Sequence, residues 1–150
     1  MSKKNSSVNL KNEFRDFKDL SSIFLNFKNK LDTLNKKKYL VAVSGGPDSL
    51  ALVALTKAYN YRKKIQFHYV LVDHNIRTNS KQEAKKVKKI LKKKQINLRI
   101  LLNKKKITRN IQAEARDSRY QILVNYCKKN NIKIILTAHN LEDQVETFFI

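Results

Sequence analysis

The stretch YLVAVSGGPDSL, residues 39–50, joins an apolar run to a glycine turn and the start of a helix. Residues 39–43 are apolar throughout, which is typical of a strand buried on both faces of a parallel sheet. Gly45 and Gly46 are the only glycines of the 150-residue chain, and Pro47 is its only proline. An average protein of this length would carry roughly ten glycines. Two adjacent glycines here therefore indicate a backbone that needs positive φ or close approach of a ligand.

The same turn has the features of a phosphate-binding loop. Pro47 suits the first helical turn, where its missing N–H is not needed. Ser44, Ser49 and the amides of the helix N-terminus are expected to face one point, and such a point binds phosphate. Asp48 beside a phosphate implies an intervening cation. The spacing thus predicts a Mg²⁺-nucleotide site on six residues: Ser44, Gly45, Gly46, Pro47, Asp48 and Ser49. An ordinary strand-to-helix turn is the alternative, because neither the Walker loop nor the dinucleotide fingerprint is present.

Strands and helices alternate along the rest of the chain. Hydrophobic periodicity predicts further strands at 65–72, 98–102 and 132–137, and helices at 48–63, from 78–80 to 95, at 110–130 and from 142 onward. This order predicts an α/β fold with a doubly wound, Rossmann-like parallel sheet of at least four strands.

The predicted organisation is a disordered start plus one amphipathic helix over 1–37, followed by a nucleotide-binding domain over 38–150. The last predicted helix is still apolar at Ile150, so we expect the domain to be incomplete at its C-terminus.

Composition limits the function classes. The single cysteine, Cys127, excludes an internal disulfide and a cysteine-rich metal site within this chain. No apolar run is long enough to span a membrane, and the first ten residues lack a signal peptide's apolar segment. These features predict a cytoplasmic protein without a membrane partner.

The chain is strongly basic, with 33 basic and 12 acidic residues and a net charge of +21. Such an excess favours a nucleic-acid partner, although the abundance of Lys, Asn and Ile also fits an AT-biased genome. The densest stretch is 81–109, in which thirteen basic residues face one acid, Glu83.

Five of the twelve acidic residues follow predicted strands. In an open parallel sheet, ligands bind beyond the carboxyl ends of the strands. Asp48 follows the first strand, Asp73 and His74 follow the second, and the segment 137–147 follows the fourth. These ends are expected to converge on one site. Taken singly, each has an ordinary explanation, such as a turn at 73–74 or a favourable helix dipole at Glu142.

Two arginines lie three residues apart on the predicted helix 110–130. Arg116 and Arg119 could bind phosphate bidentately or pair with nearby Glu114 and Asp117, and spacing alone does not decide between these. Asp143 and Glu146 are also three apart. They share a helix face that is either solvated or, with His139, able to receive a cationic amine.

Four segments together carry a family resemblance: SGGPDS at 44–49, VDHNIR at 72–77, the pattern NxxxxARxxRY at 110–120 and TAHNxEDQxET at 137–147. The first resembles the pyrophosphate loop of ATPases that release AMP and pyrophosphate. The four in this order resemble the tRNA(Ile)-lysidine synthase family, over about residues 38–150. The family commonly has a second histidine where Asn140 stands and two aspartates where this chain has Glu142 and Asp143.

The resemblance implies a ligase that forms a carbon–nitrogen bond, with ATP and Mg²⁺ as cofactors and tRNA(Ile) and free L-lysine as substrates. The wobble cytidine of the CAU anticodon would be adenylated at O2, and the lysine ε-amine would then displace AMP at C2. Asp48, Arg116 and His139 carry over as catalytic residues, Asp48 as the tentative Mg²⁺ ligand, and Asp143 with Glu146 as the lysine site. Another tRNA-modifying enzyme with a pyrophosphate loop, such as a 2-thiolation enzyme, and a non-catalytic ATP-binding chain are the alternatives. Homodimer formation stays open.

Overall fold

The computed structural model describes residues 18–75, 78–104 and 111–138. Its elements alternate between helix and strand, as the periodicity predicts. In chain order they are α1 (Lys18–Leu34), β1 (Lys38–Ala42), α2 (Pro47–Tyr59), β2 (Gln66–Asp73), α3 (Ser80–Lys93), β3 (Leu98–Leu102), α4 (Ile111–Asn130) and β4 (Ile135–Leu136).

The chain divides into two compact units, Met1–Asn35 and Lys36–Ile150. Helix α1 belongs to the first unit, and all four strands belong to the second. The division into a disordered start plus one helix over 1–37 and a nucleotide-binding domain over 38–150 stays a prediction. None of the helices in the described part of the chain has the length and apolarity needed to cross a membrane.

Several boundaries differ from the periodicity. Helix α2 ends at Tyr59, and a 3-10 turn over Asn60–Arg62 completes the segment predicted as one helix. The fourth strand is two residues long instead of six. Asn79, one of the three residues at which this helix was expected to begin, is the N-cap of α3, but its side chain makes no capping hydrogen bond. The predicted last helix, from Glu142, lies outside the described residues.

The four strands form one parallel sheet in the order β3-β2-β1-β4. Successive residues of each strand point to opposite faces, as a period of two requires. On one face Val41, Tyr69 and Leu98 pack against apolar residues of α2 and α3. On the other face Leu40 and Val70 pack against α4. Helices therefore cover both faces, and the prediction of a doubly wound α/β sheet is confirmed.

The strand order reverses at β1. From β1 the chain moves outward through β2 to β3, and it then returns past β1 to place β4 on the opposite side. Loops that leave two neighbouring strands in opposite directions separate at such a point and open a crevice beyond the carboxyl ends of the strands. The crevice between β1 and β4 is where the fold favours a ligand.

Two helices end in a Schellman motif without glycine. After α3, the N–H of Ile96 bonds to the carbonyl of Leu91 at 3.0 Å, and Gln95 adopts φ +58°. After α4, Ile132 bonds to Cys127 at 2.9 Å, and Asn131 adopts φ +53°. Each pair also meets in an apolar core, as the motif commonly provides. Left-handed backbone is costly for a residue with a Cβ, and more so for glutamine than for asparagine.

We expect Gln95→Gly to raise the free energy of unfolding by about 0.5–1 kcal/mol, because glycine removes the left-handed strain at this position. The matched control is Lys94→Gly one residue earlier, where φ is −94° and glycine only adds flexibility to the unfolded chain. Denaturant unfolding of both variants measures the difference. Equal destabilisation by the two glycines would contradict the assignment of strain to Gln95.

Candidate functional site

The turn after β1 has one position that only glycine can fill. Gly45 has φ +91°, and a Cβ built there would lie 2.9 Å from Cγ2 of Val87. Val87 belongs to α3 and packs against the core between the sheet and that helix, so it has little freedom to move aside. The glycine therefore lets the loop pass close to α3.

The second glycine differs from the expectation of positive φ. Gly46 has φ −74° and ψ 166°, an extended conformation open to any residue. The nearest atom that a Cβ would meet is Oγ of Ser44, at an ordinary contact distance of 3.6 Å. Nothing in the described protein therefore requires glycine at this position. The remaining reason for a glycine here is that a ligand approaches the main chain closely at this position.

Ser49 organises the loop through its hydroxyl and also lines the cleft beside it, so its role toward a ligand stays a prediction. Its side chain is buried, with 3% exposed. Its hydroxyl accepts the N–H of Gly45 at 3.1 Å and the hydroxyl of Ser44 at 3.1 Å, and it donates to the carbonyl of Gly46 at 2.9 Å. These three bonds hold both ends of the turn together. Ser44, by contrast, is exposed and lies where a ligand could contact it.

The N-terminus of α2 provides the phosphate-binding geometry predicted for this loop. Gly46 is the N-cap and makes no side-chain cap, and Pro47 occupies the first helical turn. Backbone N–H groups in a first helical turn have no acceptor inside the helix and favour anions. Asp48 is exposed in this turn. One carboxylate beside bound phosphates is a common arrangement for Mg²⁺, so the residues present fit that ion.

A cleft lies at the reversal point of the sheet, between this loop and α4. Its floor is apolar and includes Ala42, Val70 and Val72. One wall is formed by Ser44 and Ser49, and another by Thr137 and Ala138 after β4; the α4 wall carries Arg116, Arg119, Tyr120 and Leu123. Two guanidinium groups therefore share one cleft with the phosphate loop. This placement favours the phosphate-binding interpretation of the arginine pair.

The α4 wall includes one residue that was not predicted as a site residue, Tyr120. The residues of this wall follow the spacing i, i+3, i+4, i+7, which defines one face of a helix. They are Arg116, Arg119, Tyr120 and Leu123. Tyr120 was not a candidate, although this spacing from Arg116 places it on the same face. Its ring lies 5.8 Å from the guanidinium carbon of Arg119, within the range of a cation–π contact.

A second hollow lies at the end of β2, and Ser44 lines both. Asp73 is buried, and its Oδ1 accepts the N–H of Asn75 at 2.9 Å. Its Oδ2 is also buried but has no hydrogen-bond partner among the described residues. A buried carboxylate oxygen without a partner is unfavourable, so a ligand that donates a hydrogen bond or carries a cation would be stabilised there.

His74 connects the two hollows electrostatically. Burial lowers the pKa of His74, the positive charge of Arg119 lowers it further, and Asp73 opposes both. The neutral imidazole is therefore favoured. Ser44 and Val72 line both hollows, so the end of β2 adjoins the cleft. Residues after β1, β2 and β4 thus line adjoining hollows at one edge of the sheet, and convergence of His139 and the acidic residues after β4 on them stays a prediction.

The candidate residues divide into two groups. The six loop residues from Ser44 to Ser49 lie together, and Arg116 lies across the cleft from them. His139, Asn140, Glu142, Asp143 and Glu146 lie outside the described residues. Cys127 is buried in the core beneath α4, and burial raises the pKa of its thiol. Across the described ranges, no group of three His, Cys, Asp or Glu side chains is placed to hold a metal ion.

Known proteins are similar to this chain in sequence and in fold. Residues 19–150 match the family model of the PP-loop domain. The tRNA(Ile)-lysidine synthase of Orientia tsutsugamushi is 42% identical over 116 residues, covering 75% of this chain and 26% of that protein. The enzyme of the same name from Rickettsia typhi is 36% identical, covering 82% and 29%. That from Wolbachia pipientis is 37% identical, covering 88% and 31%. The chain thus spans about a quarter to a third of the length of these relatives.

A solved structure has the same fold. The U34-tRNA thiolase NcsA from Methanococcus maripaludis, with its [4Fe-4S] cluster, superposes with a TM-score of 0.66 and 20% identity. The match covers 81% of this chain and 48% of that chain. At this identity the likeness concerns the fold alone.

The two glycines are expected to respond differently to alanine. Gly45→Ala should lower the free energy of unfolding by about 1–3 kcal/mol, because it combines positive φ with the contact to Val87. Gly46→Ala should leave it unchanged or raise it by up to about 1 kcal/mol, because the backbone is already compatible. Denaturant titrations compare them. Adding Val87→Ala should restore part of the loss at Gly45, and equal effects at the two glycines would rule out this division.

Proposed function

The chain belongs to the PP-loop family of ATP-binding domains, and on that premise we propose that it is the part of a tRNA(Ile)-lysidine synthase that activates cytidine with ATP and joins lysine to it. The proposed reaction joins lysine to C2 of the wobble cytidine of a CAU anticodon and yields lysidine, AMP and pyrophosphate. The observation that carries the proposal is the shared cleft of the phosphate loop and the two arginines of α4. The similarity to relatives of that name, at 36–42% identity, supports the choice of substrate.

ATP is proposed to bind with its phosphates at the loop 44–49. The N-terminus of α2 and the exposed Ser44 supply donors, and the extended Gly46 leaves room for close approach. Mg²⁺ would be held by Asp48 together with the phosphates, and it would reduce their negative charge. Ser49 positions the loop through its three hydrogen bonds, and its place on the cleft wall also lets it lie beside the nucleotide.

Adenylation is the first proposed step. The O2 atom of the cytidine attacks the α-phosphorus of ATP, the new O2–P bond forms, and pyrophosphate leaves with the electrons of the broken P–O bond. Negative charge increases on the α-phosphate during this step. Arg116 and His139 are proposed to stabilise it, as fixed positive groups do when charge develops in a transition state. Arg119, on the same wall of the cleft, adds a second guanidinium.

Lysine attack is the second step. The ε-amine forms a bond to C2, the C2–O2 bond breaks, and AMP departs with O2. Asp143 and Glu146 are proposed to hold the amine. A carboxylate raises the pKa of a neighbouring amine, so one of the two must also accept the proton that the amine releases.

Thiolation is the alternative chemistry, since the structural neighbour is a thiolase with an iron–sulfur cluster. Such clusters are held by several cysteine thiolates. This sequence contains one cysteine, and Cys127 is buried with a raised pKa, which disfavours the thiolate. These 150 residues therefore do not supply the ligands for a cluster, and lysine ligation is the better-supported function.

Gly46→Ala tests where the phosphates lie. If they approach the main chain at Gly46, the added methyl group should weaken ATP binding about 10-fold or more while the fold stays intact, a loss of about 1.4 kcal/mol. Isothermal titration with ATP and Mg²⁺ measures the affinity. Leu50→Ala is the control for packing changes in α2, because Leu50 is a half-buried residue of this helix outside the loop. Unchanged affinity in Gly46→Ala would place the phosphates elsewhere.

Labelled-lysine incorporation tests the function. With ATP and an unmodified CAU transcript of tRNA(Ile), we expect incorporation that is lost when the wobble cytidine is replaced. Asp143→Asn and Glu146→Gln should lower incorporation at least about 100-fold and leave ATP binding intact, because they remove only the amine contact. Asp117→Asn, an exposed acid on α4, is the matched control and should be neutral.

Other outcomes separate the alternatives. Pyrophosphate release without lysine incorporation would discard lysine as the nucleophile and favour thiolation. ATP binding without any turnover would indicate a non-catalytic nucleotide-binding chain. If the Asp117 control lost as much incorporation as the Asp143 variant, the role assigned to the lysine site would be wrong.

A further inference from the structure

Lysine is concentrated on one helix of the sheet unit. The 14-residue helix α3 contains seven lysines, whereas the 13 residues of α2 contain one and the 20 residues of α4 contain two. A genome-wide bias toward lysine codons would enrich all three helices alike. The uneven distribution therefore calls for a local physical explanation.

The seven lysines lie on the solvent side of α3. The inward side consists of Ala84, Val87 and Leu91, which pack in the core. The lysines are all exposed and form two rows at helical spacing, Lys81, Lys85, Lys88 and Lys92 in one and Lys86, Lys89 and Lys93 in the other. We call these seven residues the lysine face. The first row spans about 16 Å along the helix at 1.5 Å per residue.

The lysine face has no neutralising partner among the residues that the structure describes. Glu83 is the only acid of α3, and within the described part of the chain no carboxylate forms a salt bridge with any of the seven lysines. Like charges at i, i+3 and i, i+4 repel each other along a helix. Another lysine outside the helix, Lys57, donates a hydrogen bond to the carbonyl of Lys94 just past the end of α3. The row of positive charge is therefore uncompensated within the described chain.

The lysine face also starts at the functional edge of the sheet. The first turns of α3, with Ser80, Glu83 and Val87, line the hollow at the end of β2 together with Ser44. The side chain of Val87 contacts the loop at Gly45. Lys81 and Lys85 are thus the members of the face closest to the proposed site of chemistry. A polyanion lying along α3 would lead toward the cleft.

We propose that the lysine face binds the phosphate backbone of the tRNA substrate and guides the anticodon arm to the cleft. The proposal rests on the proposed function for the identity of the RNA. Uncompensated lysines at the surface bind nucleic acid through phosphate contacts and release of counterions, without reading sequence. An anionic membrane is less suitable, because peripheral membrane helices insert an apolar face, and that of α3 is already packed in the core.

The test compares two triple variants that remove the same charge. Lys85→Gln/Lys88→Gln/Lys92→Gln changes the lysine face, and Lys128→Gln/Lys129→Gln/Lys133→Gln changes three exposed lysines at and after the end of α4. A third variant, Lys85→Arg/Lys88→Arg/Lys92→Arg, keeps the charge of the face. The probe is a fluorescent, unmodified CAU transcript of tRNA(Ile), and its anisotropy is measured from 50 to 300 mM salt.

The lysine-face Gln variant should bind the transcript about 10-fold or more weakly. Its plot of log K against log salt should be shallower by about 2, since each lost phosphate contact contributes 0.7–0.9 to the slope. The α4 variant and the Arg variant should stay within about twofold of the unmodified chain. ATP affinity should be the same in all, and melting curves should show that the Gln variant is folded.

Three results would overturn the proposal. The first is equal weakening by both Gln triples, which would mean that net charge alone matters. The second is undiminished RNA binding by the lysine-face variant. The third is binding to phosphatidylserine vesicles that requires the lysine face while RNA binding does not. Dependence of RNA binding on the face, without lysine incorporation by the unmodified chain, would uphold this surface and count only against the ligase function.

Discussion

The approach of the loop after β1 to helix α3 is the constraint on which the functional site depends. Gly45 must take positive φ there, and Val87 leaves no room for a side chain. This contact sets the path of the chain from the buried strand to the first turn of α2. That path in turn places the helix N-terminus, Ser44 and Asp48 at the carboxyl edge of the sheet. A backbone requirement at one residue therefore positions the loop groups that the nucleotide is proposed to meet, and α4 supplies the arginines across the cleft.

Around that turn, two residues of the motif have a clear structural role. Gly45 and Ser49 serve the protein itself, one by its backbone conformation and the other by three hydrogen bonds from a buried hydroxyl. Ser44 and Gly46 take part in those hydrogen bonds, whereas Ser44 and Asp48 also have exposed side chains that a ligand can reach. A motif of this kind is thus partly a folding element. Loss of activity on substitution within it does not by itself identify a residue that contacts ATP.

The distribution of charge follows the sheet topology. Strand order reverses at β1, so the crevice opens between β1 and β4, and α4 contributes two arginines to its wall. Seven lysines lie on the solvent side of α3, whose first turns reach the same edge. A compact arginine site within the cleft suits the small phosphates of a nucleotide. A long lysine row outside it suits an extended polyanion, because each ammonium remains hydrated and contacts the partner separately.

Local sequence determined much of this. Apolar runs and helical spacing predicted the order of the strands and helices along the chain, since both patterns arise between residues close in the chain. The phosphate loop stood out because glycine is so rare here, and a single cysteine limited the metal chemistry. Only the tertiary structure separated Gly45 from Gly46 and placed Arg116 and Arg119 in one cleft with the loop. Those outcomes depend on α3 and α4 packing against the loop and strand ends. Contacts between residues far apart in the sequence leave no periodic pattern in it.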